Sequence, residues 1–157
     1  MSEPELIVGV ISDTHGLLRP QAMAAMRGAD LIIHAGDVGS RDIVKALADI
    51  APTFAVRGNV DKGAWAADLP TTELVKVGER QFFVLHRISE LDFDPAAAGF
   101  AAVVFGHSHQ PLIDTRGDVL YLNPGSAGPR RFNLPIAVAR VAVSGGRLHP
   151  QIVELEV

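Results

Sequence analysis

Short apolar runs separated by polar turns dominate the first two-thirds of the chain. Leu6–Ile11 and Leu31–His34 have the length and composition of buried strands. Between them, Pro20–Met26 has a proline at its first position and is followed by Gly28, which predicts a short helix. The strand–helix–strand order indicates βαβ units with parallel strands.

The same alternation continues through the middle of the chain. Ser40 can cap a second helix, and the apolar face of that helix comprises Ile43, Val44, Leu47 and Ile50. Three further apolar runs predict strands at Thr53–Val56, Gln81–Leu85 and Ala101–Phe105. The segment between the last two strands predicts a helix over Leu91–Ala98.

The last third of the chain has a different pattern. Thr115–Asp118 predicts a turn between two short strands, and Pro135–Val143 and Arg147–Val157 alternate on either side of a Gly-Gly turn, which predicts a hairpin. The expected fold class is therefore α/β, with two mixed sheets and helices on the outside. A length of 157 residues predicts a single domain over residues 1–157.

Composition narrows the functional classes. The absence of cysteine excludes disulfides and cysteine-ligated metal sites. The net charge of −4 and the absence of a basic stripe argue against a nucleic-acid surface. The acidic start, Met1–Glu5, and the lack of a long apolar segment predict a cytoplasmic protein without a membrane partner. A homo-oligomer remains open.

Candidate chemistry lies where the apolar runs stop. Seven potential metal ligands follow successive predicted strands: Asp13, His15, Asp37, Asn59, His86, His107 and His109. Ligands in open α/β sheets bind at the carboxyl ends of strands, so these side chains are expected to converge. Glycines at 36, 58 and 106 precede them and allow tight turns and close approach. This many oxygen and imidazole ligands suggests two divalent cations.

Each motif taken alone has a simpler explanation. Asp13-x-His15 could be a helix cap or a turn, and Gly36-Asp37 is common turn chemistry. His86 could be a core-edge histidine. Gly106–His109 is more specific, because two imidazoles two residues apart after a buried strand have few structural reasons. The hypothesis of a metal centre depends on all these motifs occurring in one topologically consistent order.

The order D-x-H, GD, GN-x-D, H and GH-x-H resembles that of the calcineurin-like metallophosphoesterases, most closely their small YfcE-like phosphodiesterase branch. The resemblance extends from Ile11–Gly16 to Asn123–Ser126 and so covers most of the chain. It implies a four-layer α-β-β-α sandwich with a two-metal centre. It also implies a structural role for Asn123–Ser126 near the metals.

The resemblance assigns the ligands to two metals and a bridge. The first metal would be held by Asp13, His15 and His109. The second would be held by Asn59, His86 and His107. Asp37 would bridge both. A hydroxide shared by the two cations would attack the phosphorus of a small phosphate ester. Mn²⁺ is favoured by the resemblance, while an all-nitrogen and oxygen ligand set also suits Fe, Zn, Ni or Co. His34 and His149 match no ligand position.

Three residues near the ligands refine this expectation. Val60 stands where many superfamily members have a histidine that protonates the leaving group, so activated aryl esters are the expected substrates. Arg87 follows His86 where the branch usually has glycine. It either reaches into the cleft and pairs with a phosphate oxygen or points to solvent. Asp61 is expected to orient the loop or a neighbouring ligand. Asp37, Asn59, His86, Asp61 and Arg87 are the candidate catalytic residues.

Other functions remain compatible with the same residues. The fold also occurs in the retromer subunit, which acts through interactions, so a non-catalytic metal-binding scaffold is an alternative. A phosphomonoesterase is a second alternative, and a single-metal hydrolase or metal-storage protein is a third. Substrate hydrolysis and the ratio of metal to protein would separate them.

Overall fold

A computed structural model describes residues 5–157, so residues 1–4 of the acidic start lie outside the described part. The described residues form ten strands and two α-helices. In chain order these are β1 (Leu6–Ile11), α1 (Pro20–Met26), β2 (Leu31–His34), α2 (Arg41–Ala48), β3 (Thr53–Ala55), β4 (Thr72–Val77), β5 (Arg80–Leu85), β6 (Ala102–Val104), β7 (Leu112–Arg116), β8 (Val119–Asn123), β9 (Ala137–Ser144) and β10 (Arg147–Glu154). Short 3-10 helices occur at Ala66–Asp68 and Ile88–Glu90.

The strands form two mixed five-stranded sheets. In the first sheet the order is β10-β9-β1-β2-β3, with β1, β2 and β3 parallel and β9 antiparallel to β1. In the second the order is β4-β5-β6-β8-β7, with β5, β6 and β8 parallel and antiparallel strands at both edges. The predicted fold class, an α/β sandwich of two mixed sheets, is confirmed.

The main core lies between the sheets. Val10 and Ile33 from the first sheet and Phe82 and Leu122 from the second belong to one cluster and are fully buried. A second cluster on the outer face of the first sheet includes Met26 of α1 and Leu47 of α2. Ser40 caps α2 as predicted, because its hydroxyl accepts a hydrogen bond from the Asp42 N–H.

Among residues 5–157, no α-helix covers the outer face of the second sheet. The helix predicted over Leu91–Ala98 is wrong, because this segment forms a loop with isolated turns after the 3-10 helix. The Asp94 carboxylate accepts from the Ala96 N–H, which closes a local turn, and Gly99 has a φ of 86°. Asp94 thus caps a single helical turn that ends at the left-handed Gly99, so the fourth layer is thin here.

One edge feature of the sheets was predicted from the sequence and another was not. The β9–β10 hairpin joins the first sheet beside β1 and so completes the sheet that the βαβ units begin. Strand β4 was not predicted. Its Val75 and Val77 are buried while Leu74 is 60% exposed, as expected for a short edge strand with one solvated face.

This topology brings the carboxyl ends of β1, β2 and β3 in one sheet near those of β5 and β6 in the other. Backbone hydrogen bonds join the loops that follow: Asp13 N–H donates to the Gly36 carbonyl at 3.0 Å, and Gly106 N–H donates to the His86 carbonyl at 3.0 Å. The polar residues after the strands therefore share one edge of the sandwich. Within residues 5–157 no helix is long and apolar enough to cross a membrane.

Candidate metal centre

Six of the seven predicted ligands fall into two groups whose ligand atoms lie within 4.8 Å of one another inside each group. One group is Asp13, His15 and His109, and the other is Asp37, His86 and His107. We call Asp13, His15 and His109 the first half of the site. Asn59, His86 and His107 are called the second half, with Asp37 between the halves.

The atoms of the two groups point at each other at distances that suit bound cations. Asp13 Oδ1 lies 3.4 Å from His109 Nε2 and 3.7 Å from His15 Nε2. Asp37 Oδ2 lies 3.2 Å from His86 Nε2 and 3.5 Å from His15 Nε2. Ligands roughly 2.0–2.2 Å from one cation are expected about 3.0–3.6 Å apart. Most of the spacing is therefore that of a coordination shell.

Hydrogen bonding gives an independent test of whether these residues fit a metal. Four buried side-chain atoms of the site have no hydrogen-bond partner among the described residues: Asp13 Oδ1, His15 Nε2, His86 Nε2 and His109 Nδ1. Leaving buried polar atoms unpaired costs about 1–3 kcal/mol each, and three of these four atoms face the common centre. A divalent cation at this centre would satisfy these three atoms, so the residues fit the metal ions that the sequence predicted.

Asp13 is fixed so that one oxygen stays free. Its Oδ2 accepts from the Ser12 hydroxyl at 2.6 Å and from the His107 N–H at 3.1 Å, while Oδ1 faces the histidines. Burial raises the pKa of Asp13, but the nearby imidazoles of His109 and His15 and the hydrogen bond from Ser12 outweigh it and hold the pKa well below its usual value. The carboxylate is therefore ionised and ready to bind a cation.

Asp37 and His86 are held in a similar way. Asp37 Oδ1 accepts from the Val60 N–H at 3.0 Å, and His86 Nδ1 lies 2.8 Å from the Ala35 carbonyl. Burial raises the pKa of Asp37, but the nearby His86 imidazole and the hydrogen bond from the Val60 N–H lower it overall. Burial lowers the pKa of His86, but Asp37 and Asp13 raise it overall. A ring N–H bonded to a backbone carbonyl leaves His86 Nε2 directed at the centre, as metal-binding histidines require.

The backbone is also unusual at the candidate ligands. Among residues 5–157, six non-glycine residues have positive φ, and five of them are candidate ligands: Asp13, His15, Asp37, His107 and His109. Such conformations cost on the order of 1 kcal/mol or more each and concentrate at functional sites. Neighbouring contacts must stabilise them, since L-residues rarely adopt this region.

The glycines next to the ligands serve two purposes. Gly36 has a φ of 102°, so it needs the conformational freedom expected from the sequence. At Gly58 and Gly106 the requirement is space. A Cβ at Gly58 would overlap the Asp37 backbone nitrogen and Oδ1, and a Cβ at Gly106 would overlap the Ser12 hydroxyl and approach Asp13 Oδ2 to 2.6 Å.

The second half of the site is more open. Asn59 and His107 are exposed, whereas Asp13 and His109 are buried. Arg87 Nε donates to Asn59 Oδ1 at 3.3 Å, so Arg87 lies across the second half instead of pointing away from it. Burial, His86 and then Arg87 lower the pKa of His107. The Arg87 guanidinium therefore adds positive charge beside the second half.

Asp61 ties two ligand loops together. Its carboxylate accepts from the N–H groups of Val38, Gly39 and Gly58 at 3.1, 2.8 and 2.9 Å. It thereby fixes the loop after Asp37 to the loop that carries Asn59. This geometry agrees with the orienting role expected for Asp61.

The contacts of several supporting residues were not predicted from the sequence. Asn123 Nδ2 donates to the Gly106 carbonyl at 3.1 Å, and the Ser126 hydroxyl donates to the Asp13 carbonyl at 3.1 Å. Ser12 holds Asp13 directly, as described above. The Asn-Pro-Gly-Ser sequence pointed to the first two residues, but their partners are distant in the chain and had no sequence signal.

His34 lies behind the first half and contacts no candidate ligand side chain by hydrogen bond. Its Nδ1 accepts from the Gly36 N–H at 3.1 Å, and its Nε2 lies 3.0 Å from the Thr14 hydroxyl, which donates to the Val38 carbonyl at 2.7 Å. Burial lowers the pKa of His34 to about 4. It is a neutral, hydrogen-bonded core histidine, as its position outside the ligand pattern indicated.

Comparison with known proteins identifies the family. The profile of the calcineurin-like phosphoesterase superfamily domain matches residues 6–146. The chain belongs to this superfamily. The resemblance seen in the sequence motifs is thus confirmed, and membership implies the use of divalent metal ions.

Relatives within this superfamily agree with the assignment. A probable metallophosphoesterase of Methanothermobacter thermautotrophicus is 32% identical over 94% of this chain and 92% of its own length. Phosphodiesterase YfcE of Escherichia coli K12 is 27% identical over 73% of this chain and 76% of its own. The structure of vacuolar protein sorting 29 from Cryptosporidium parvum has a TM-score of 0.79 at 18% identity, covering 99% of this chain and all of that one. The last likeness concerns the fold alone.

Proposed function

We propose that this chain is a phosphodiesterase that hydrolyses small phosphate esters at a dinuclear metal centre, with Mn²⁺ as the favoured ion. The superfamily supplies the reaction class, a phosphoester hydrolase. The diester preference is supported by the similarity to a relative named a phosphodiesterase. Fe, Zn, Ni and Co suit the same ligands.

The position of Asp37 carries the dinuclear proposal. Its Oδ2 lies between His15 of the first half and His86 of the second, at 3.5 and 3.2 Å. One carboxylate placed between two ligand groups is the arrangement that lets two cations share a ligand. When bound, the two ions would supply a water of lowered pKa as nucleophile and positive charge for the phosphoryl oxygens.

The protein side chains would orient the substrate around this centre. Asp13 and His109 are buried and His15 is half-buried, so this side of the centre has little contact with solvent. On the open side, Arg87 can move from Asn59 Oδ1 to a phosphoryl oxygen, because a guanidinium pairs with phosphate in a charge-assisted hydrogen bond. Asn59 and His86 contribute ligands, and Asp61 holds the loop of Asn59 in place.

The proposal is tested by stripping the metal and adding back Mn, Fe, Zn, Ni or Co separately. Each reconstituted sample is assayed with matched aryl phosphodiesters and phosphomonoesters, and bound metal is counted. Two metals per chain and restored diester hydrolysis are expected. A preference for monoesters would make the chain a phosphomonoesterase. Full metal loading without hydrolysis would indicate the scaffold alternative, and a ratio near one would indicate a single-metal site.

A further inference from the structure

A cleft of about 430 Å³ opens directly beside the second half of the candidate metal centre. Asn59 and His86 line one wall, so the cleft and the ligands share a boundary. The volume falls in the range of about 300–1,000 Å³ typical of small-molecule pockets. A group esterified to a phosphate bound at the centre would enter this space.

The floor of the cleft is apolar and aromatic. Phe83 and Leu85 of β5 line it together with Leu91 of the loop opposite. The Phe83 ring packs edge to face against Phe93 and Phe100, with ring centroids 4.9 and 5.4 Å apart. This packing fixes the Phe83 ring and provides a rigid surface for a flat organic group.

The polar wall carries two guanidinium groups. Arg57 and Arg87 both line the cleft, and neither forms an ion pair with a carboxylate within the described residues. Arg57 Nε is buried and has no hydrogen-bond partner in residues 5–157. Two half-buried guanidinium groups without a carboxylate partner favour an anionic acceptor supplied by a ligand in the cleft.

The acidic residues of the cleft do not cancel this charge. Glu90 and Asp92 line the mouth and are exposed, whereas Arg57 and Arg87 are half-buried. Solvent screens exposed charges much more than buried ones, so the interior of the cleft favours an anion. The arrangement combines an aromatic floor with a cationic wall, next to the place where phosphate would bind.

We propose that this cleft binds an esterified group that contains a ring and carries its own anionic substituent, a phosphate or carboxylate, with Arg57 as the residue that recognises the anion. The proposal rests on the proposed function, because it places the phosphoester at the metal centre. It goes further by defining the substrate as a phosphoester with a second negative charge on a flat organic group.

The test uses equilibrium binding, so that it does not depend on turnover. Two non-hydrolysable probes, benzylphosphonate and 4-carboxybenzylphosphonate, are titrated by calorimetry into the Mn²⁺-loaded protein. The wild type is expected to bind the carboxylated probe about tenfold or more tightly than the neutral one, as one charge-assisted hydrogen bond allows. Arg57→Gln is expected to reduce this ratio to about one.

Arg147→Gln is the matched control, because Arg147 is exposed at the start of β10, at the opposite end of the first sheet from the ligands. It should keep the wild-type ratio. A wild-type ratio near one, or equal ratios in wild type and Arg57→Gln, would overturn the subsite. If neither phosphonate binds while metal is bound, the subsite is overturned, and absence of aryl phosphodiester hydrolysis in the same sample would overturn the proposed function as well. Thermal unfolding of Arg57→Gln shows whether that variant is folded. If it is not, Arg57→Lys is used in its place; because lysine keeps the positive charge, this variant should retain part of the wild-type ratio.

Discussion

The two halves of the candidate metal centre are built in different ways. Asp13 and His109 of the first half are buried, and Asp13 is held by the Ser12 hydroxyl and the His107 N–H. Asn59 in the second half is exposed, and its carbonyl oxygen is occupied by Arg87. The first half is thus prepared by the protein core, whereas the second faces a cleft and needs Arg87 to move.

A catalytic metal centre must both retain its metal ions and bind its substrate, and the difference between the halves separates these two tasks. A buried, preorganised set of ligands binds a cation without further ordering, which favours affinity. An open set beside a cationic cleft can exchange contacts with a substrate. We therefore expect the first half to set metal retention and the second to set substrate choice and rate. The predictions below test this division.

The largest expected effect concerns the leaving group at the second half. Val60 is 45% exposed beside Asn59 and cannot donate a proton. General acid catalysis contributes roughly 10²–10⁴-fold, so alkyl leaving groups should lose about this factor relative to enzymes that have an acid. The kcat/KM of a diaryl phosphodiester should far exceed that of a matched dialkyl phosphodiester. Similar values would show that another residue supplies the proton.

Val60→His would sharpen that result. A histidine at this position should raise hydrolysis of the dialkyl ester more than hydrolysis of the diaryl ester, because only the poor leaving group needs protonation. Val60→Leu is the matched control and should leave the ratio of the two rates unchanged. A rise on both substrates alike would point to an effect on metal binding instead.

The next effect compares ligand removal in the two halves. Asp13→Asn keeps an oxygen for the Ser12 and His107 contacts but removes the charge. It should lower kcat/KM on the order of 10²–10³-fold and release metal from the first half. His107→Asn, in the open half, should retain one metal per chain. Metal counting and kinetics at several metal concentrations measure both. Equal metal loss in the two variants would refute the proposed difference in metal retention.

A third prediction concerns the packing behind the first half. Burial lowers the pKa of His34 to about 4, whereas an unfolded histidine has a pKa of 6.5. Between pH 4 and pH 6.5, His34 is therefore protonated in the unfolded state but not in the folded state. The contribution of His34 to the free energy of unfolding is fully present above pH 6.5 and is lost as the pH falls towards 4. The contribution is on the order of 3 kcal/mol.

Urea unfolding of the metal-free protein between pH 7 and pH 4 measures this loss. His34→Gln, which can still donate and accept hydrogen bonds, should remove most of the His34 contribution from the pH dependence. His149→Gln is the control, because His149 is exposed, and it should keep the wild-type dependence. An unchanged dependence in His34→Gln would mean that His34 is protonated without unfolding.

The framework of strands was largely predictable because each strand has a local signal in the sequence. Uninterrupted apolar runs mark β1 and β2. A candidate metal ligand follows shortly after the end of each of these strands. Strand β4 had a weak signal because its outward face includes Leu74, which blurs the alternation. The predicted helix over Leu91–Ala98 overlooked the turn chemistry of Asp94.

Most of the contacts that position the site could not be predicted from the sequence, because the partners are distant in the chain. The Ser126 hydroxyl reaches the Asp13 carbonyl across 113 positions of the chain, and no local pattern records that pairing. The direction of Arg87 was equally open, since both a cleft-facing and a solvent-facing side chain fit its place in the sequence. Only the packing of the two sheets decides which side chains meet.

The smallest expected effect comes from Arg87 itself, where the two tasks of the second half conflict. In the absence of substrate its guanidinium occupies Asn59 Oδ1 and places positive charge where a second cation would bind. Arg87→Ala should therefore tighten the binding of the second metal by about 1 kcal/mol, or about fivefold, because such partly exposed contacts are worth little. Metal titration of the apo-protein by calorimetry measures this change, with Arg147→Ala as control.

The same variant should act in the opposite direction on substrate. With metal saturating, Arg87→Ala should raise the KM for phosphate esters, because the guanidinium no longer pairs with a phosphoryl oxygen. Tighter metal binding together with a higher KM is the combination expected if Arg87 exchanges Asn59 for phosphate. A higher KM with unchanged metal affinity would leave Arg87 as a substrate contact only. An unchanged KM would contradict this exchange, because it would show that Arg87 does not pair with the phosphoryl group.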